Sequence, residues 1–260
     1  MRQLGLILFA AFVAIRVSAA TEPDFARELR LADEIIDSIL DGDAQWLSDG
    51  EREFLSIYTE AETSSAAVLI LHGRGFHPDW PDAINPLRVG LSEKGFSTLS
   101  LQMPVLEKSA KYYDYVPLFP YAYPRIEAGI QYLREQGHRR VILLAHSCGV
   151  HMAMSWLAQQ RQADIDAFIG LGMGATDYRQ PMAQPFPLDR LNFPVLDLYG
   201  SLDYPAVRKN ANRRLDAINS AGNPYSRQRT LKGADHYFTD KPEPLVTAVA
   251  DWLATLVFKQ

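Results

Sequence analysis

The sequence is poor in the residues that build metal cages and disulfide frameworks. It holds one cysteine, Cys148, among 260 residues, so no disulfide can form within the chain. Its six histidines include neither an H-E-x-x-H pair nor a cysteine and histidine cage, which disfavours zinc. The glycines of 170–174 lack the G-x-G-x-x-G spacing of a dinucleotide loop. We therefore expect a protein that uses no metal and no cofactor.

The chain also has no large excess of either charge and no second long apolar run. Its formal net charge of -5 argues against a nucleic-acid partner, because a phosphate backbone attracts basic surfaces. A single apolar run cannot make a polytopic membrane protein. With 47% hydrophobic and 22% charged residues, the composition is typical of one globular domain that buries its own core.

The one long apolar run lies at the N-terminus and has the features of a signal peptide. Arg2 precedes an apolar stretch over 4–15, and small residues suited to a signal peptidase follow at 17–20. We predict that residues 1–20 are removed after Ala19 or Ala20, and that the protein is exported to a bacterial periplasm or secreted. A retained membrane anchor is the weaker interpretation, since the stretch is short for a bilayer span.

Beyond residue 20, the apolar pattern predicts an amphipathic helix over 23–40, within an N-terminal segment that ends at 44. Two strand-like runs separated by Asp49-Gly50 then predict a hairpin. Continuous apolar runs predict buried parallel strands at 66–71, 96–101, 141–145, 167–171 and 193–199. Helices are expected between and after them, at 84–94, 123–136, 149–160, 206–221 and 244–257. We predict that residues 45–260 form one α/β domain with a mostly parallel sheet.

The sharpest chemical signal is a serine placed between a strand and a helix. Ser147 follows the apolar run 141–145, and small residues, Ala145 and Gly149, stand two positions before and after it. In a nucleophile elbow these positions must be small because strand and helix approach closely there. The following helix N-terminus and the Cys148 amide would face developing negative charge. The alternative is a tight turn without chemistry.

A serine hydroxyl needs a base, and the base needs a carboxylate that orients it. His236 lies in a glycine-containing loop before the last helix, and Asp203 follows the last strongly apolar strand. The chain order serine, aspartate, histidine is that expected of one class of serine hydrolase. Asp203 could instead cap a helix, and His236 could be an ordinary loop residue.

Other aspartates near these segments are weaker candidates for the acid. Asp177 follows the preceding strand and is the substitute acid. Asp235 adjoins the base in sequence and is less suited to face its ring, while Asp197 lies inside a strand and would be buried.

A second backbone feature follows the first long strand, in His72-Gly73-Arg74-Gly75-Phe76. Such a loop can donate a backbone N–H to an oxyanion, here from Arg74 or Gly75, beside the N–H of Cys148. A plain turn at the end of a strand would explain the two glycines equally.

With these residues in place, the chain resembles the α/β-hydrolases of the serine type. It also resembles a bacterial family of exported, hydrolase-like proteins of unknown function, through the hairpin and the motifs Leu71-His72-Gly73, His77-Pro78-Asp79-Trp80-Pro81, Pro86-Leu87-Arg88, Leu99-Ser100 and Gln102-Met103-Pro104. The resemblance implies a single α/β-hydrolase domain, with helices on both faces of the sheet. It also implies Ser147 as nucleophile, His236 as base and Asp203 as acid.

Substrate residues are expected around the aromatic run 112–123 and the segment 77–81. The candidates are His146, Trp80, Tyr113 and Tyr115. The aromatic run could equally be a surface loop or a docking patch. Only 175–192 is available as an insertion after the sixth strand, so no large lid is expected.

These observations predict an exported serine hydrolase that cleaves small or medium carboxylic esters. Peptidase or thioesterase activity would use the same residues. A catalytically silent hydrolase fold that binds or scaffolds in the cell envelope is the alternative. Neither nucleic acid nor a membrane span in the processed chain is expected, and no protein partner is indicated.

Overall fold

An eight-stranded sheet runs through the protein, and helices cover both of its faces. The coordinates are a computed structural model, in which residues 21–62 and 66–256 are described. The predicted signal peptide, residues 1–20, lies outside the described residues. Within those residues, no helix combines the length and apolar character needed to cross a bilayer.

In chain order the elements are α1 (Phe25–Ile35), β1 (Asp43–Ser48), β2 (Glu53–Thr59), β3 (Ala66–Leu71), α2 (Ile84–Glu93), β4 (Ser97–Leu101), α3 (Tyr112–Tyr115), α4 (Phe119–Glu135), β5 (Arg140–His146), α5 (Cys148–Gln159), β6 (Ala167–Leu171), β7 (Val195–Gly200), α6 (Pro205–Lys209), α7 (Ala211–Ser220), β8 (Arg227–Leu231) and α8 (Pro242–Ala254).

The strand order across the sheet is β1-β2-β4-β3-β5-β6-β7-β8. β1 and β2 form the antiparallel hairpin, β2 pairs antiparallel with β4, and every later pairing is parallel. The carboxyl ends of β3, β5, β7 and β8 therefore lie along one edge of the sheet, where ligand sites of open α/β sheets form. The prediction of a mostly parallel sheet that begins with an antiparallel hairpin is confirmed.

Alternate residues of the central strands enter two separate cores. On β3, Leu69 packs in the core that includes residues of α4 and α5, whereas Val68 and Ile70 pack in the core that includes residues of α2 and α8. Strands that are buried on both faces have apolar residues at successive positions, as the sequence of β3 does.

Three of the predicted helices have clearly wrong boundaries. The helix expected over 23–40 ends at Ile35 and is followed by a 3₁₀ turn, Ile36–Ser38. The helix expected over 206–221 is two helices, α6 and α7, which meet at Asn210, and the Asn210 side chain donates to the Ala206 carbonyl in the last turn of α6. α4 begins at Phe119 rather than at 123, because Pro120 lies in its first turn, where backbone N–H groups have no partner within the helix. The aromatic run before it is the short helix α3 and a 3₁₀ turn, Val116–Leu118, and not a loop.

Candidate active site

Ser147 lies in a strained turn between β5 and α5. Its backbone has φ +54° and ψ −115°, which is unusual for a residue with a side chain. Its N–H donates to the Leu171 carbonyl at the end of β6 (3.0 Å). A Cβ on Gly149 would lie 2.6 Å from the His72 carbonyl oxygen, so this position does require glycine. The turn therefore holds the serine at the carboxyl edge of the sheet.

The structure brings Ser147, His236 and Asp203 together from three separate loops. His236 Nδ1 lies 2.7 Å from Asp203 Oδ1, and His236 Nε2 lies 2.8 Å from Ser147 Oγ. Because a carboxylate only accepts, Nδ1 carries the imidazole proton and Nε2 accepts from the serine hydroxyl. Both His236 and Asp203 are buried, so water competes little for these hydrogen bonds.

An aromatic side chain that the sequence analysis missed lies on the imidazole. The Tyr204 ring stacks on His236 with 4.2 Å between ring centroids, and the two hydroxyl groups of Tyr204 and Tyr237 are 2.8 Å apart. The Tyr204 N–H also donates to Asp203 Oδ1 (2.6 Å). Tyr204 follows the acid directly in sequence, but no pattern in the sequence indicates that its ring covers the base.

His146 has a different position from the one predicted for it. The side chain has no exposed surface, and Nε2 donates to the backbone carbonyl of His236 (2.9 Å). Burial and the neighbouring His236 lower the pKa of His146 to about 4, so its ring is neutral near pH 7. The prediction that His146 contacts substrate is therefore wrong: this residue holds the loop that carries His236.

The candidate oxyanion donors lie at the carboxyl ends of β3 and β5. Within the described ranges, the amides of Arg74, Gly75 and Cys148 donate to no other group. Gly75 has φ +74°, a conformation that glycine adopts readily. His72 donates from Nδ1 to the Gly73 carbonyl (2.7 Å), which fixes the start of this loop.

The thiol of Cys148 is not a nucleophile in this site. Burial raises its pKa to about 12, so that the reactive thiolate is scarce near pH 7. Only the backbone amide of Cys148 is suited to the chemistry.

The other aspartates have different partners. Asp177 forms a two-pronged ion pair with Arg74 (2.7 and 3.2 Å) and accepts from the Tyr112 amide, so Asp203, not Asp177, contacts the base. Asp197 is buried in β7 and forms an ion pair with Arg214, and Asp235 accepts hydrogen bonds from backbone amides of its own turn.

The described residues hold no cluster of three His, Cys, Asp or Glu side chains that could bind a metal ion.

Of the predicted substrate residues, Trp80 and Tyr115 line a cavity of about 680 Å³ beside the loop that follows β3. His77, which we expected near Trp80, lines it too. Tyr113 is half exposed and lies elsewhere: its hydroxyl donates to the Pro181 carbonyl in the proline-rich segment before β7 (3.1 Å). That segment contains only a 3₁₀ turn, Leu188–Arg190, among its described elements, and it forms no large lid.

The chain matches one protein family and many solved structures. The family, described as "Protein of unknown function (DUF3530)", matches residues 16–115 and 122–255. A putative α/β hydrolase of unknown function from Agrobacterium tumefaciens is 18% identical with a TM-score of 0.60, over 84% of this chain and 100% of that chain. An α/β serine hydrolase without a lid from Xanthomonas campestris is 15% identical with a TM-score of 0.58, over 85% of this chain and 97% of that chain.

A third similar structure is a thermophilic esterase from Thermogutta terrifontis with propionate bound. It is 15% identical with a TM-score of 0.61, over 85% of this chain and 97% of that chain. No curated protein matches the chain. At these identities the similar structures establish the fold, which is that of the α/β-hydrolases.

Proposed function

The chain belongs to the family described as "Protein of unknown function (DUF3530)", and we propose that it is an exported serine hydrolase that cleaves carboxylic esters. One observation carries the proposal: the serine, imidazole and carboxylate are joined by hydrogen bonds of 2.8 and 2.7 Å at the carboxyl edge of the sheet. The α/β-hydrolase fold and the thermophilic esterase among the similar structures support it.

In the first half-reaction, Ser147 Oγ attacks the ester carbonyl carbon, and its proton passes to His236 Nε2. The carbonyl π electrons move to oxygen, and the oxyanion accepts from the amides of Cys148 and of Arg74 or Gly75. Asp203 holds the imidazole in the required tautomer and stabilises the imidazolium. When the intermediate collapses, the bond from carbon to the alcohol oxygen breaks and Nε2 returns its proton to the leaving alkoxide.

In the second half-reaction, water attacks the acyl-enzyme and gives a proton to His236 Nε2. Collapse of the second intermediate breaks the bond to Ser147 Oγ, which recovers the proton, and the carboxylic acid leaves. Tyr204 lies against the imidazole throughout, where an aromatic face favours the positively charged ring. Within residues 21–62 and 66–256 no large lid covers the site, which suits small and medium esters rather than one enclosed substrate.

Labelling with a fluorophosphonate probe, followed by a chain-length series of 4-nitrophenyl esters, tests the chemistry. We expect labelling at Ser147, and a loss of about 10⁴-fold or more in kcat for Ser147→Ala. Ser220→Ala, on the exposed surface of α7, is the matched control and should retain full activity. Unlabelled, folded protein with equal rates for Ser147→Ala and the parent would reject the hydrolase and favour a silent binding or scaffolding protein.

Export is tested separately, by expressing the full chain in a Gram-negative host. We expect mature protein in the periplasm or the medium, with an N-terminus at Ala20 or Thr21 by terminal sequencing. Uncleaved protein in the cytoplasm would contradict export and would leave the hydrolase proposal standing.

A further inference from the structure

The cavity beside the candidate active site has a charge that nothing in the described chain neutralises. It lies between α1 and the loops that follow β3 and β4. Arg74 and Gly75, which carry candidate oxyanion amides, form part of its wall, so the cavity adjoins the site where Ser147 would react. The cavity is distinct from the catalytic triad and from the oxyanion loop, because residues of α1 form one of its walls.

Arg27 is the buried cation of this wall. Its guanidinium donates to the carbonyl oxygens of Gly75 (3.1 Å) and Leu106, and it forms no ion pair with the described residues. The adjacent acid, Glu28, is committed to Arg125 at 2.8 Å. A buried charge without a partner is costly, and a bound anion would remove that cost.

The remaining charges of the cavity cancel or are already paired. Arg74 forms its ion pair with Asp177. At the rim, the exposed side chains of Arg30 and Lys108 are matched by those of Glu34 and Glu107. The excess positive charge in the interior of the cavity is therefore that of Arg27.

Aromatic side chains complete the wall of the cavity. Tyr115 Oη accepts from the Leu106 amide (2.8 Å). The Tyr115 side chain is fully buried, so it contributes packing to the wall and offers no exposed donor to a ligand. Arg27 Nη2 lies 3.6 Å from a Cβ built on Gly75, on the side of the loop that faces the cavity. Phe76 and Trp80 stack at 4.0 Å and offer an apolar surface nearby.

We propose that this cavity binds the carboxylate of an organic anion, held by Arg27, with the apolar part of the ligand against Phe76 and Trp80. The planar guanidinium of arginine matches the two oxygens of a carboxylate. Where the proposed esterase function holds, on which this last step rests, the preferred substrates are esters that carry a carboxylate, such as half-esters of dicarboxylic acids.

Binding is tested in the full chain carrying Ser147→Ala, so that no turnover is needed. The probes are 3-phenylpropionate and its neutral counterpart 3-phenylpropionamide, titrated by calorimetry. We expect the acid to bind about tenfold or more tightly than the amide, since hydrogen bonds to charged groups are the stronger ones. Arg27→Met should remove this preference, and Arg27→Lys should retain part of it.

If Arg27→Met fails to fold, Arg27→Gln keeps a polar side chain without the charge and should also remove the preference for the acid. Arg139→Gln removes the same charge from the exposed surface and should leave the preference unchanged. Equal binding of acid and amide to the parent, or no binding of the acid at millimolar concentration, would overturn the proposal.

Turnover of a matched ester pair tests the substrate class. Mono-4-nitrophenyl glutarate and 4-nitrophenyl pentanoate differ in the terminal carboxylate, and we expect kcat/KM to favour the glutarate about tenfold or more in the parent and not in Arg27→Met. If the protein binds 3-phenylpropionate but hydrolyses the two esters equally well, only the assignment of the substrate class is overturned. Acid binding without turnover of either ester would sustain the anion site and refute the esterase.

Discussion

Gly172 is the residue whose missing side chain makes room for the proposed base. A Cβ there would lie 2.8 Å from Cε1 and 2.9 Å from Nδ1 of His236, and 3.3 Å from Asp203 Oδ2. We expect Gly172→Ala to displace the imidazole and to lower kcat/KM by about 10²-fold, because small errors in position are costly in catalysis. Steady-state kinetics with a 4-nitrophenyl ester measure this effect.

Backbone strain alone could produce a loss, since Gly172 has φ +63°. Gly222→Ala is the matched control: it has φ +74°, and a Cβ there would meet nothing within 4 Å. It should carry a similar conformational penalty and leave kcat/KM unchanged. Equal losses in the two variants would mean that the effect comes from strain and not from contact with His236.

The sequence identified side chains that a local pattern marks, and missed those that only the fold brings near. Ser147 was predictable because a strand, small residues and a helix surround it, and His236 and Asp203 because each follows a strand in the required order. Tyr204, Gly172 and Arg27 have no such pattern. Arg27 meets Gly75 only because α1 packs beside the loop that follows β3.

At the scale of elements, the Arg74–Asp177 ion pair joins the loop after β3 to the loop after β6. Burial alone would raise the pKa of Asp177, but hydrogen bonds from Arg74 and the Tyr112 amide and the charge of Arg74 outweigh it, and the pKa falls below 3.8. A carboxyl group with a lowered folded pKa stabilises the protein above its unfolded pKa. That stabilisation is lost as the pH falls through the lowered value.

We therefore expect Asp177→Asn to reduce the free energy of unfolding at pH 7, and the difference from the parent to shrink below pH 3.8. Urea unfolding followed between pH 7 and pH 3 measures it. Asp189→Asn, an exposed aspartate that forms no ion pair within the described residues, is the control and should show no such trend. A difference for Asp177→Asn that stays constant with pH would contradict the ionic role of this pair.

Strands marked by a continuous apolar run could be predicted from the sequence, whereas helix boundaries set by single residues could not. Each of the five apolar runs predicted as a parallel strand, between 66 and 199, is a strand in the structure, because buried parallel strands need apolar residues on both faces. The division of 206–221 at Asn210 and the early start of α4 depend on one side-chain cap and one proline position, which apolar periodicity does not register. The cavity depends on the docking of α1, which no periodicity in α1 itself specifies.

At the scale of the whole molecule, three neutral histidines are buried: His72 and His146 near each other at the carboxyl edge of the sheet, and His151 in α5. Burial lowers the pKa of His72 to about 3 and those of His146 and His151 to about 4, each from 6.5. Between about pH 4 and pH 6.5 the unfolded chain therefore binds protons at these residues and the folded chain does not. The free energy of unfolding therefore decreases as the pH is lowered from 6.5 to 4, by up to about 1.4 kcal/mol per pH unit for each histidine.

His151 offers the cleanest measurement of this effect, because it lies in an aromatic cluster away from the His236 ring and donates to the Ala175 carbonyl (2.9 Å). His151→Gln retains an N–H donor and cannot titrate, so its free energy of unfolding should fall less steeply between pH 6.5 and pH 4 than that of the parent, by up to about 1.4 kcal/mol per pH unit. The comparison uses slopes, so a constant loss of packing in the variant does not affect it. Parallel curves would show that His151 titrates alike in the folded and unfolded chains, and the acid sensitivity of the fold would then have to come from other groups.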